Sequence, residues 1–313
     1  MTESASAQPR ESLPLDSTAQ LLTRITAQLG TQLSHVSLNG TRRPPVHRTI
    51  RPAPGSTPAP ALVAVAHGSR DPQALRTVVK LLDRVRELRP GLDVRLGHIE
   101  LNEPLLPLTL TGLGSGDAVL VPLLLGRGHH VTHDIPAAAA DAPALRTTIA
   151  APLGPHPLLV EALYGRLVEA GWPADETANG SLAVVLAAAG SRDPDSAADT
   201  RRTARMLSER LGGVPVVPAY ASVADPTVSV AVRALAARGR HRAAVASYFT
   251  APGRFATAAA AAAAGIAAAP LGAHPAMARL VLHRYDQALA GRARSGALPA
   301  PGSAMNGPLL ASA

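Results

Sequence analysis

ALVAVAHGSRDP, residues 61–72, is a short apolar run that stops at a histidine and a glycine. Six apolar residues ending at Gly68 describe a buried strand running into a tight loop, and Asp71-Pro72 then supplies a helix cap and a first-turn proline. Leu75, Val78, Leu82 and Val85 follow with helical spacing, so the stretch reads as strand, loop and helix. LAAAGSRDP, residues 186–194, repeats the end of this unit, with Pro72 and Pro194 lying 122 residues apart.

Working outward, VRLGHIEL (94–101) predicts a second strand, with Pro104 opening the next helix. AVLVPLLL (118–125) is apolar throughout, as expected of a parallel strand covered on both faces. TTIAAPL (147–153) predicts a fourth strand, followed by a helix from about His156. Strands alternating with helices across short loops imply a parallel sheet with right-handed crossovers. The second half follows the same plan. IELNEP (99–104) returns as SVADP (222–226), again 122 residues on, and APLGPHP (151–157) returns as APLGAHP (269–275), 118 residues on. Three ordered matches at nearly one offset predict two tandem α/β domains, each with a mainly parallel four-stranded sheet flanked by helices.

The expected boundaries follow the composition. Residues 1–58 are rich in Pro, Ser, Thr and Gln and read as a disordered extension, with a short amphipathic helix marked by Leu22, Ile25, Leu29 and Leu33. The first domain spans 59–171, a linker 172–180, the second domain 181–291, and a flexible tail 292–313. Hydrophobic residues make up 47% of the 313 but aromatics only 2%, so the cores rest on Ala, Val and Leu and on close packing.

The net charge is +8, carried by arginine apart from the single Lys80. This balance suits an acidic partner. The arginines form no basic run interleaved with aromatics, which argues against nucleic acid. With no cysteine, disulfides, thiolate metal sites and cysteine nucleophiles are excluded. No run has the length of a membrane span, and the reading is a soluble, cytoplasmic protein.

Ligands of an open parallel sheet bind at the carboxyl ends of its strands. His67 follows the first strand, Glu100 ends the second, and GRGHHVTHDIP (126–136), with His129, His130 and His133, follows the third. Two imidazoles and a carboxylate suit Fe(II), Co(II) or Ni(II) without a closed cage. Taken singly, each is equally readable as a loop residue, a cap or a solvated side chain. The second copy sharpens the choice. His67 becomes Ala189, Glu100 becomes Ser222 and His130 falls near Phe255, while Gly190 to Pro194 keep the loop. Joint loss of three metal-capable groups from a retained frame is the behaviour of one functional unit. His156 and His274, by contrast, recur in both copies at a helix start and read as structural caps.

Gly68, Ser69 and Arg70 carry two readings: a loop meeting an anionic ligand through backbone N–H groups and a guanidinium, or a turn that needs Gly68 and leaves Arg70 in solvent. Tyr220, Tyr248, Phe249 and Phe255 are four of the six Tyr and Phe residues, and all lie in the second copy. They serve either as a flat apolar wall for a ligand or as filler for the lost polar groups.

AHGSRDP, HIELNEP and LLLGRGHHVTHDIP together resemble the class II chelatases, specifically sirohydrochlorin chelatases of siroheme and cobalamin synthesis, in the long form that fuses two half-domains. The resemblance covers about residues 60–290. It implies a two-lobed protein with the macrocycle in a cleft between lobes, His67, His130 and Glu100 as metal-handling and catalytic residues, and Fe2+ or Co2+ inserted as substrate. It also implies no ATP and no organic cofactor. His129 stands at a position that is often aromatic in relatives and His133 at one that varies, and both are auxiliary candidates. The expected partner is the tetrapyrrole, with no nucleic acid and no membrane, and two fused lobes make a monomer the expected state. A non-catalytic metal or tetrapyrrole carrier is the alternative from a different class.

Overall fold

The computed structural model describes residues 59–176 and 180–296. The expected N-terminal extension and its short helix, part of the linker and residues 297–313 lie outside the described residues.

The first sheet contains β1 (Ala61–Ala66), β2 (Val94–His98), β3 (Gly116–Pro122) and β4 (Leu145–Ile149), all parallel in the order β2-β1-β3-β4. The second contains β5 (Leu182–Ala188), β6 (Val216–Tyr220) and β7 (Arg242–Ser247), parallel in the order β6-β5-β7. Its expected fourth strand is reduced to a bridge between Val245 and Ala267. The cause is local. Gly265 and Ala267 stand where the first repeat has Thr147 and Ile149, and losing two β-branched residues removes the preference for a pleated, half-buried strand.

Eight α-helices among the described residues surround the sheets: α1 (Pro72–Leu88), α2 (Leu106–Leu113), α3 (Ile135–Ala140), α4 (Pro157–Glu169), α5 (Pro194–Arg210), α6 (Val228–Ala236), α7 (Arg254–Ala261) and α8 (Pro275–Gly296). The caps repeat as the sequence does. Asp71 accepts from the Gln73 N–H at 2.8 Å and Asp193 from that of Asp195 at 2.9 Å. His156 Nδ1 accepts from the Leu158 N–H at 3.1 Å, and His274 Nδ1 from that of Ala276 at 3.2 Å. Both histidines are the helix caps that their recurrence predicts.

The period-two alternation of the strands sorts the core into layers. Leu62, Ala64 and Ala66 share one continuous core with Leu182, Val184 and Leu186, filled by α1, α4, α5 and α8. The opposite faces have cores of their own: Val63 and Val65 pack with Leu106, Leu110 and Ile135, while Ala183, Val185 and Ala187 pack with Val228, Ala231 and Leu235.

The last helix of each repeat docks on the other repeat. Helix α4 packs against α5 and β7, and α8 against α1, β3 and β4. Polar contacts fix both. Arg210 pairs with Glu161 at 2.7 Å, and Arg166 donates to the Leu271 carbonyl at 3.0 Å. Tyr285 donates to the Pro60 carbonyl at 2.6 Å, and Asp286 takes both prongs of Arg89. Asp117 on β3 accepts from Arg146 and from Arg292 of α8, and these two guanidinium groups hold its carboxyl at a pKa of about 2. Among the described residues, no helix is long and apolar enough to cross a membrane.

Candidate active site

The order β2-β1-β3 places β1 between its two neighbours, so the loops leaving these three strands share one edge of the sheet. His67 is the first residue after β1. Ile99 N–H donates to the Ala66 carbonyl at 2.9 Å, and Glu100 N–H to the His67 carbonyl at 3.0 Å, continuing the pairing past the strand ends. Gly68 is essential to this approach. It sits at φ 104°, and a Cβ there would collide with the Glu100 carbonyl. Gly190 repeats the arrangement against Ser222.

The structure brings His67, Glu100 and His130 together. His67 Nδ1 lies 3.5 Å from Glu100 Oε1, and the His67 and His130 rings meet edge to face with centroids 4.6 Å apart. His130 Nδ1 is 2.5 Å from Asp134 Oδ2. A carboxylate can only accept, so Nδ1 is the donor in this contact and Nε2 is the ring nitrogen that Asp134 does not engage. A second-layer carboxylate orients metal-binding histidines in this manner. His130–Asp134 forms a π-helical turn in which Ile135 N–H reaches back to the His130 carbonyl, a local form frequent at functional sites. His133 stacks on His129, centroids 4.5 Å apart, and is hydrogen-bonded to Thr132. Among the described residues, no three His, Asp or Glu side chains stand close enough to form a ready ligand cage.

Asp134, which orients His130, is missing from the sequence-predicted set. Its signal was the i, i+4 spacing in HVTHD, which puts two side chains on one face of a helical turn. Asn102 is a second such residue; its side-chain oxygen accepts from the Ser69 N–H at 2.6 Å. Ser69 in turn accepts from the Asp71 N–H through its hydroxyl at 3.1 Å, as Ser191 does from Asp193. Both polar groups of Ser69 therefore shape the loop. Arg70 is exposed and, among the described residues, has no ion-pair partner.

The second repeat meets this loop set directly. The Tyr248 hydroxyl donates to the Leu125 carbonyl at 3.0 Å, and Arg127 reaches Asp195 and Asp199 of α5. A Cβ at Gly128 would lie 3.9 Å from Ser191 Oγ, and one at Gly253 would lie 3.9 Å from Ser69 Oγ. The aromatic residues divide accordingly. Tyr248 and Tyr220 are buried, and burial pushes the Tyr248 phenol well above its ordinary pKa. Tyr248 thus fixes the loop that leads to His130 instead of offering a free face. Phe249 packs into the outer core, and Phe255 lies under Arg254 at 4.7 Å.

Among curated proteins, the chain is similar to a sirohydrochlorin ferrochelatase of Bacillus subtilis, 28% identical over 173 residues, covering 53% of this chain and 64% of the relative. It is also similar to a sirohydrochlorin cobaltochelatase of Priestia megaterium, 28% identical over 198 residues, covering 60% of this chain and 63% of the relative. The chain thus spans less than two thirds of the length of either. In fold it resembles SirB from Bacillus subtilis with Fe3+, with a TM-score of 0.62, 24% identity, and coverage of 75% of this chain and 97% of that one. The sequence profile of the CbiX family matches twice, at residues 61–170 and 183–288, once for each repeat. With both matches falling on the two sheets and their helices, the chain belongs to the CbiX family.

Proposed function

We propose that this protein is a sirohydrochlorin chelatase, inserting a divalent metal ion, Fe2+ or Co2+, into the tetrapyrrole. The observation that carries this reading is the His67–His130 pair, 4.6 Å between ring centroids, with a carboxylate behind each ring. The names of the curated relatives, one a ferrochelatase and one a cobaltochelatase, support the same reaction.

Metal insertion exchanges two ring N–H protons for one M2+ ion. The protein has to present the ion, accept the protons and let the product go. His130, its Nδ1 committed to Asp134, offers Nε2 as a ligand. His67 offers a second nitrogen, and Glu100 stands within 3.5 Å of it to receive a proton or to balance the charge. Two neutral imidazoles hold Fe2+ or Co2+ without the permanence of a thiolate cage. The ring lies in a cleft between the repeats, with Arg70 meeting an acidic side chain and Gly68 and Ser69 shaping the loop beneath. His129 and His133 are auxiliary ligands on the approach. No organic cofactor takes part, and the fused repeats act as a cytoplasmic monomer.

The reading is tested by mixing sirohydrochlorin and Fe2+ or Co2+ with protein at a small fraction of the ring concentration and following the absorption change. A chelatase accelerates the change over many turnovers. A rate that stops at one ring per chain identifies a carrier and refutes the reading.

A further inference from the structure

Leu101 and Val223 are the only non-glycine residues at positive φ among the described residues, at 68° and 41°. They lie 122 residues apart and are each other's counterpart in the two repeats. Each is the centre of a three-residue turn. Asn102 N–H donates to the Glu100 carbonyl at 2.8 Å, and Ala224 N–H to that of Ser222 at 2.6 Å. This region disfavours any side chain, and a β-branched one most of all. Glycine would relieve the strain at no steric cost.

The strain has no packing return. The side chains point outward, with Leu101 52% and Val223 64% exposed. A large apolar residue that is both strained and solvent-facing in each copy is a combination that packing does not explain. The second repeat has shed the counterparts of His67 and Glu100 yet keeps the strained apolar turn beside them. Strain of this kind clusters where a side chain must meet a ligand.

Their placement says which ligand. Leu101 Cβ lies 3.3 Å from where a Cβ of Gly68 would stand, one residue from His67. Asn102 holds Ser69, and Ser69 borders Gly253 of the second repeat. Val223 follows Ser222, whose carbonyl abuts Gly190, and the adjacent Ser191 borders Gly128, next to His129. Each turn therefore adjoins a loop that touches the other repeat, on the edge that carries the metal-handling groups. A tetrapyrrole has apolar faces and an acidic rim. We infer that Leu101 and Val223 grip the faces of the macrocycle, one side chain from each repeat, and that ring binding, not metal binding, is their task. This inference rests on the tetrapyrrole reading above.

The test uses the full chain and the variants Leu101→Gly, Val223→Gly and their combination, with Leu101→Met as the apolar control. Three quantities are read: the Kd for metal-free sirohydrochlorin, the Kd for Co2+ without the ring, and the Tm. The expected result is ring binding weaker by roughly tenfold for each glycine, and by more in the double variant. Co2+ affinity stays unchanged, the Tm is equal or higher because strain is removed, and Leu101→Met binds the ring as the wild type does. Unchanged ring affinity in the double variant overturns the inference, as does an equal loss of Co2+ affinity, which would mark the turn as a support for Glu100. Wild-type protein that fails to bind sirohydrochlorin overturns the functional reading and this inference together. Wild-type turnover with unaltered variants overturns this inference alone.

Discussion

The guanidinium of Arg127, on the loop that presents His130, is held by Asp199 of α5 through two hydrogen bonds of 3.0 and 2.9 Å. The Asp199 side chain is only 9% exposed, so the pair joins the loop that carries His130 in one repeat to the interior of the other. Its planar fork matches the carboxylate, a geometry lysine does not reproduce.

Replacing Asp199 with Asn keeps the shape but removes the charge and one accepting oxygen. The expected cost is about 1–3 kcal/mol of stability, with a fall in turnover because the loop carrying His130 is no longer fixed. Arg127→Lys gives the same direction of change. Denaturant unfolding alongside insertion rates checks this; full stability and full activity in Asp199→Asn would contradict it.

Helix exchange makes the two repeats one folding unit. Helix α8 covers the first sheet although the second repeat encodes it, and Tyr285 closes on the Pro60 carbonyl. Residues 59–171 expressed alone would lose the cover that α8 gives β3 and β4 and are expected to be insoluble or unfolded. Co-expression with residues 181–296 restores a folded complex. A soluble, cooperatively folding first half on its own would contradict this.

A pH dependence follows from His156. Burial, then the charge of Arg284, then His283 lower its pKa to about 4. Its Nδ1 accepts from Leu158, so the single proton of the neutral ring is on Nε2, and charging the ring must place a proton on Nδ1 and break the cap. A depressed folded pKa gives stability that is present above the unfolded value of roughly 6.5 and is lost as pH falls toward 4. His274 is lowered by burial in the same sense. Tm should decline over this window, and His156→Asn, which caps without titrating, should flatten the decline. An identical pH profile in that variant would count against the assignment.

The parallel strands and the helix caps were legible because each is marked locally, and the repeat because three segments recur in order at nearly one offset. Asp71-Pro72 and His156-Pro157 announce helix starts by chemistry that acts within three residues. The grouping of His67, Glu100 and His130 was legible because the ends of adjacent parallel strands share an edge. Contacts between the repeats were not. Nothing in the neighbourhood of Asp199 marks it as the partner of Arg127, 72 residues away, and Tyr248 reads either as a wall for a ligand or as filler until its hydroxyl is seen on Leu125. The exchange of α4 and α8 was hidden for the same reason, since amphipathic spacing says that a face is buried but not against which sheet.

Of the groups on the first repeat, His67 is the one on which the proposed metal insertion depends most. The most direct measurement is the initial rate of Co2+ insertion into sirohydrochlorin by His67→Ala, with its Tm recorded beside that of the wild type. His67 is half-exposed and outside the packed strands, so an unchanged Tm and a rate lower by about a hundredfold or more are expected. A folded His67→Ala protein that inserts metal at the wild-type rate would contradict that dependence.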